Sequence, residues 1–311
     1  MVTPVIDATQ RKLVGNSAFP SFGQLLSPRW VVNAVREARR GGSDLPRRDI
    51  FMWVSVVLFV NHLLGMITEM PSTSLEKLIA DVLSIGVFQY IAWYAIFRLL
   101  GSSDATSVAR WQEFLIAAAL CLPVFLPTVR SIWVAAVGIA IYWWIFNAGD
   151  AKLRAAGAVL AALSVQESWG HAFFHLVAFP LLCAETAVVG TILEVVRAGT
   201  VWQANVITGP TGYGIVIGDE CSAFHNLSLA VLCWVAVSKL RYQSWQIQDF
   251  LVGIAIGLTM ILFNVLRLCL MAWNLDLFHY WHEGIGAEIF AIGASFSIFV
   301  ISLYCSDRAG G

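Results

Sequence analysis

Residues 248–273 read QDFLVGIAIGLTMILFNVLRLCLMAW, and beyond Asp249 the only charge in the stretch is Arg267. A bilayer's hydrocarbon core is ~30 Å thick and takes roughly 20 apolar helical residues to cross, so this block reads as a membrane-spanning helix. Similar blocks lie at roughly 50–68, 78–100, 113–129, 131–148, 153–178, 222–239 and 285–305. They are continuous apolar runs rather than stripes with a period of two or of three to four. The expected fold class is all-α: a polytopic transmembrane helix bundle of about eight spans. The composition agrees, with 59% hydrophobic residues, 13% charged residues and a mean hydropathy of +0.74. A soluble domain of this length carries far more polar surface. Thirteen tryptophans suit interfacial belts.

The fifth block is the least regular, because Glu167, His171 and His175 interrupt it. It fits either one long helix or a short span followed by a re-entrant piece. The apolar stretch at about 176–197 is expected to lie in the interface or dip into the membrane.

Basic residues orient the bundle, because cytoplasmic loops are enriched in Lys and Arg. Arg29, Arg36, Arg39, Arg40, Arg47 and Arg48 precede the first span. Residues 1–49 lack the apolar core of a signal peptide and are expected to form a cytoplasmic tail, ahead of a transmembrane domain at 50–306. Arg98 and Arg110, Lys152 and Arg154, Lys239 and Arg241, and finally Arg308 all fall on the same side in an eight-span topology. Both termini are then cytoplasmic, and residues 198–221 and 274–284 face outward. The first of these outer segments contains Gly209-Pro210-Thr211-Gly212 and reads as loop. There is no internal repeat and no low-complexity tract. The net charge of -1 gives no footprint for nucleic acid.

Chemistry concentrates at the outward ends. Cys221 stands in Gly-Asp-Glu-Cys-Ser-Ala-Phe-His-Asn, at the junction of the first outer segment with span six. A thiol at a helix N-terminus sees the positive end of the helix dipole, whereas Asp219 and Glu220 oppose it. The other five cysteines lie in or beside apolar runs and behave as small hydrophobes. None of the six forms a CxxC pair or a zinc-ligand spacing.

Arg267 lies within span seven, where insertion scales put an arginine at roughly 2.5–3.5 kcal/mol at the bilayer centre. It is expected to face a partner or a wet cavity. Asn264, Arg267, Met271 and Asn274 share one helical face by spacing. Histidine is the usual base for a cysteine nucleophile. Three are candidates: His282 before span eight, His279 three residues earlier, and His225 one helical turn after Cys221. Spacing does not choose among them. A thiol, a proton acceptor and a fixed cation are what acyl transfer from a peptide bond requires.

These residues resemble the exosortase/archaeosortase transpeptidases, membrane proteins with a Cys-Ser-Gly motif at a helix start, an Asn-x-x-Arg motif in a later span and, in the bacterial branch, a histidine before the last span. Cys221-Ser222-Ala223 looks like the first, with Ala223 where the family usually has glycine. Asn264-Val265-Leu266-Arg267 looks like the second, and His282 like the third. His225 has no counterpart in the pattern. The resemblance covers about residues 50–305. It implies a membrane-embedded cysteine protease and transpeptidase with Cys221, Arg267 and His282 as catalytic residues; Asn264, Ser222, His225 and His279 are the candidate supporting residues. It further implies exported substrates with a C-terminal motif, often Pro-Glu-Pro, followed by a membrane helix and a basic cluster. The acceptor would be an envelope component or membrane lipid, and the site would lie on the outer, periplasmic face of the cytoplasmic membrane. No cofactor, metal or nucleic acid is required.

Two other classes fit parts of the sequence. A membrane metallohydrolase could use His171 and His175, spaced i and i+4, with Glu167, His279, His282 or Glu283, although no HExxH motif is present. A transporter or scaffold could line a solute path with Arg267, Asp81 and Glu113, although no inverted repeat is apparent.

Overall fold

The computed structural model describes residues 46–69, 86–104, 111–122, 129–147 and 149–308. Nearly all of the tail at 1–49, together with Asp81, Arg110 and the linkers around them, lies outside the described residues. In chain order the elements begin with α1 (Arg47–Glu69), α2 (Val87–Gly101), α3 (Trp111–Cys121), α4 (Val129–Phe146) and α5 (Ala151–Ser164). A π-helical turn at Val165–Trp169 leads into α6 (Gly170–Val196). Three short strands follow: β1 (Val201–Gln203), β2 (Val206–Thr208) and β3 (Gly214–Val216). A 3₁₀ turn at Asp219–Cys221 then opens onto α7 (Ala223–Arg241), α8 (Ile247–Met271), α9 (Leu275–His282) and α10 (Ile285–Arg308).

Each apolar block is helical over its described part. Among the described residues, three helical stretches are long and apolar enough to cross a membrane: Phe173–Val196, Ile247–Met271 and Ile285–Leu303. Val87–Gly101 and Ile132–Phe146 are shorter apolar helices. Leu258, Leu262, Ile292 and Phe296 are exposed on the outside of the bundle. A water-soluble protein would bury such residues, and a bilayer accepts them.

The main core is a contact of α2, α4, α5 and α7 built on small residues. Ala92, Ala95, Ala136, Ala140, Ala155, Ala156, Ala230 and Ala236 are buried. Small side chains let helix axes approach closely where lipid supplies no hydrophobic drive between helices. At Gly157 a Cβ would stand 3.0 Å from the Ala140 carbonyl oxygen, so the α4–α5 crossing needs glycine there.

One end of the bundle gathers charges and caps. Arg47 at the start of α1 pairs with Glu113 of α3 at 2.5 Å, and donates to Asn147 Oδ1 at 2.6 Å. Asp150 caps α5 by accepting from the Leu153 N–H at 2.9 Å, and it also accepts from Ser103 Oγ. Lys152 donates to the Ser102 carbonyl at 2.5 Å. Glu113 is thus engaged with Arg47, on a different helix from Arg267.

The interrupted fifth block resolves as continuous helix: α5, the π turn and α6 run without a break from 151 to 196. The π turn carries Glu167, which accepts a hydrogen bond from Gln89 Nε2 of α2. An extra residue in one turn re-aims the side chains around it. Pro180 lies within α6.

The two segments expected to face outward carry secondary structure. Residues 201–216 form a three-stranded antiparallel sheet in the order β1-β2-β3, where a loop was expected. Strands of three residues are too short to show a legible alternation, and the glycine-rich turn dominates the composition. The sheet buries Ile207 and Ile215, which cluster with Leu182, Val189 and Leu193 of α6. Residues 275–282, within the second segment expected to face outward, form α9. Asn274 does not continue the polar face of α8, which ends at Met271. Instead its Oδ1 caps α9, accepting from the Leu277 N–H at 2.8 Å.

The sheet docks on α6 through Trp202, whose ring lies over Gly190; a Cβ on Gly190 would come within 2.5 Å of that ring. Gly190→Ala is therefore expected to push β1 off the helix at a cost of about 1–3 kcal/mol. Thermal unfolding of the detergent-solubilised protein measures this, and a variant melting with the wild type contradicts the packing.

Candidate functional site

The site forms where the sheet returns to the bundle. β3 leads through Gly218 into the 3₁₀ turn, which the Cys221 N–H closes by donating to the Gly218 carbonyl at 3.0 Å. The Ser222 N–H donates to the Asp219 carbonyl at 3.2 Å. Ser222 then takes the N-cap position of α7, its Oγ accepting from the Phe224 N–H at 3.3 Å. Cys221 therefore sits one residue before the cap, outside the helix proper. Its side chain is a thiol and not half of a disulfide. It is 7% exposed, in an apolar cluster with Leu182, Val265, Leu268 and Met271.

Two long helices clamp this turn from opposite sides. From α8, the buried Asn264 donates through Nδ2 to the Cys221 carbonyl at 2.9 Å. From α6, the buried Glu185 accepts on Oε1 from both Ser222 Oγ and the Ala223 N–H, each at 3.0 Å. All four backbone N–H groups from Cys221 to Phe224 thus have partners within the protein, and none remains to bind a ligand.

Arg267 lies one turn beyond Asn264 on α8. Its Nε donates to the Trp281 carbonyl at 3.0 Å, and its guanidinium lies 5.3 Å from the centre of the Phe290 ring of α10. Arg267 lies within electrostatic range of Cys221. Its two terminal nitrogens have no hydrogen bond among the described residues. The cation is held by its inner nitrogen.

Cys221 and Asn264 are thus in direct contact, and Arg267 stands one helical turn from Asn264 within electrostatic range of the thiol. His282 joins them indirectly. It is the last residue of α9, directly after Trp281, whose ring packs on the cluster that contains Cys221. The His282 ring stacks on Phe278 at 4.8 Å with 12° between the planes. Its Nδ1 is buried without a hydrogen bond, and the nearest carboxylate oxygen, from Glu283, is 3.7 Å away. His279 differs: its side chain is 60% exposed, against 24% for His282, and it lies 3.8 Å from Glu283. His225 belongs to the first turn of α7, and its side chain lies outside the described residues.

His175 projects from α6 to 4.0 Å from Asp219, at the edge of the same turn. The side chain of His171 lies outside the described residues. No group of three or more His, Cys, Asp and Glu placed to hold a metal ion occurs among the described residues.

Glu185 was not among the sequence candidates. A signal was present: between Phe173 and Leu193 it is the one Asp, Glu, Lys or Arg in an otherwise apolar stretch. Ionisable residues inside membrane spans are costly and mark functional sites. Comparison with protein-family models, with characterised proteins and with solved structures finds no match for this chain.

Proposed function

We propose that this protein is a membrane-embedded cysteine transpeptidase of the exosortase kind, cleaving exported proteins near a C-terminal membrane anchor and passing them to an envelope acceptor. The observation that carries this reading is the Arg267 guanidinium, within electrostatic range of Cys221 and with no hydrogen bond on its outer nitrogens among the described residues. Acyl transfer needs a site for negative charge where the carbonyl oxygen will be. With the backbone N–H groups from Cys221 to Phe224 already taken, we assign that role to Arg267.

The reaction runs in two halves. The Cys221 sulfur bonds to the carbonyl carbon of the substrate peptide, and the thiol proton passes to the His282 ring. The carbonyl oxygen becomes anionic and takes hydrogen bonds from the Arg267 terminal nitrogens. When the carbon–nitrogen bond breaks, the leaving amine takes the proton from histidine. A thioester remains between Cys221 and the new C-terminus. An acceptor nucleophile from the envelope or a membrane lipid then displaces the sulfur, while water in its place gives hydrolysis.

An eight-span topology would place this site on the outer face of the cytoplasmic membrane, with both termini inside. Support comes from the bundle itself. Arg47, Ser102, Ser103, Glu113, Asn147, Asp150 and Lys152 converge at one end, as alternating spans with basic inner loops require. Substrates would then be exported proteins whose last segment spans the same membrane, and no nucleic acid or cofactor takes part.

The test is co-expression with an exported reporter ending in Pro-Glu-Pro, a membrane helix and a basic cluster. Intact-mass analysis is expected to show loss of the tail with the wild type and none with Cys221→Ala. A reporter left whole by the wild type, with no Cys221-linked acyl adduct on it, contradicts the proposal.

Between His279 and His282, burial favours His282 as the proton acceptor. His282→Ala is expected to slow processing by roughly 10²–10⁴-fold, the usual worth of a general base. His279→Ala, changing an exposed ring, should cost far less. The reverse order in a processing assay would assign the base to His279.

A further inference from the structure

The geometry points to Glu185 as a positioning residue for Cys221, holding the sulfur beside Arg267 through Ser222 and the Ala223 N–H. This rests on the reading of Cys221 as nucleophile and adds to it a residue from a helix that the motifs do not include.

Three observations converge on it. Glu185 is 8% exposed and lies inside Phe173–Val196, one of the stretches long and apolar enough to span a membrane. A carboxylate there is costly unless it has work to do. Second, both of its donors come from the two residues that follow Cys221, and both use Oε1, at 3.0 Å each. One oxygen thus ties the cap hydroxyl and the first N–H of α7 to α6. Third, Oε2 is buried with no hydrogen-bond partner. Among the described residues the carboxylate forms no ion pair, and its hydrogen bonds all go to the turn.

The consequence is mechanical. Asn264 holds the carbonyl of Cys221 from α8, and Glu185 holds the following two residues from α6. Between these anchors the sulfur has a fixed place with respect to Arg267, which rides on the same helix as Asn264. Without Glu185, Ser222 and Ala223 lose their tie to α6, and the turn is fixed from α8 alone. The role depends on the acceptor geometry of Oε1 rather than on the charge. Glutamine presents the same carbonyl oxygen to the same two donors, and the oxygen it replaces by an amide has no partner to lose.

Because the natural substrate is unidentified, the probe is iodoacetamide, and the readout is its rate constant for modifying Cys221, followed by peptide mass spectrometry on the purified full-length protein. Arg267→Gln is expected to slow this modification about tenfold, since a neighbouring cation favours the reactive thiolate. Glu185→Ala should slow it comparably, and the Glu185→Ala/Arg267→Gln double variant should be no slower than either single, because a displaced sulfur no longer feels the cation. Glu185→Gln should react within about threefold of wild type, as expected when the acceptor oxygen is kept. Ser222→Ala, which removes one of the two ties, should fall between wild type and Glu185→Ala, and it keeps the test available if Glu185→Ala does not fold.

Effects of Glu185→Ala and Arg267→Gln that multiply would overturn the positioning role. So would a Glu185→Gln protein as slow as the alanine variant, or an alanine variant as fast as wild type or faster. If Arg267→Gln itself leaves the rate unchanged, it is the pairing of cation and thiol under the proposed function that fails.

Discussion

Cys221→Ala and Cys221→Ser are expected to abolish substrate processing while the protein still folds and inserts. The serine variant is the sharper of the two. It keeps the shape of the turn, since neither the Cys221 carbonyl bonded by Asn264 nor the N–H bonded to Gly218 belongs to the side chain. What changes is the nucleophile. A hydroxyl ionises far less readily than a thiol and needs a stronger base to attack a carbonyl. A site that merely binds should tolerate serine; a site that forms a thioester should not. Processing of a tailed reporter and the melting temperature, measured on the same preparations, separate the two. Full processing by the serine variant would leave Cys221 as a packing residue.

Arg267→Lys is expected to be nearly as damaging as Arg267→Ala, at roughly 10²–10³-fold below wild type, the usual loss when an oxyanion donor is removed. The reason lies in how the guanidinium is divided. Its Nε is committed to the Trp281 carbonyl, and the outer nitrogens have no hydrogen bond among the described residues. Lysine carries one ammonium on a flexible stem. If it binds the Trp281 carbonyl it does not reach the substrate oxygen in the fixed geometry, and if it turns to the substrate the tie to α9 is lost. Separate measurement of kcat and KM locates the defect: a fall in kcat is expected, because the charge it stabilises exists only in the transition state. A lysine variant with wild-type kcat would mean that charge alone suffices and the fork is irrelevant.

The sequence carried the helical architecture clearly, because apolar blocks of bilayer length need no tertiary information to be recognised. Asn264 and Arg267 were legible for a related reason: polar residues stand out in such a block, and a spacing of three puts them on one face. Extending that face to Asn274 failed because α8 ends at Met271, and helix periodicity lapses across the break. The small sheet stayed hidden since three-residue strands show no readable alternation, and since what stabilises them is the fit of Trp202 over Gly190 and of Ile207 and Ile215 against α6. Glu185 was visible as an anomaly but not as a partner. It is 37 residues before Ser222 in the chain, and only the folded contact joins them. Spacing left His279 and His282 as close competitors, and the difference in their burial shows only in the fold.

The most direct measurement is to isolate the protein after exposure to a tailed reporter, with the acceptor step slowed by cold, and to map covalent adducts by peptide mass spectrometry. The predicted result is an acyl group on Cys221 ending at the reporter's cleavage point and released by hydroxylamine, as a thioester is. Cleaved reporter with Cys221 unmodified, or an acyl group carried on another residue, would contradict the account.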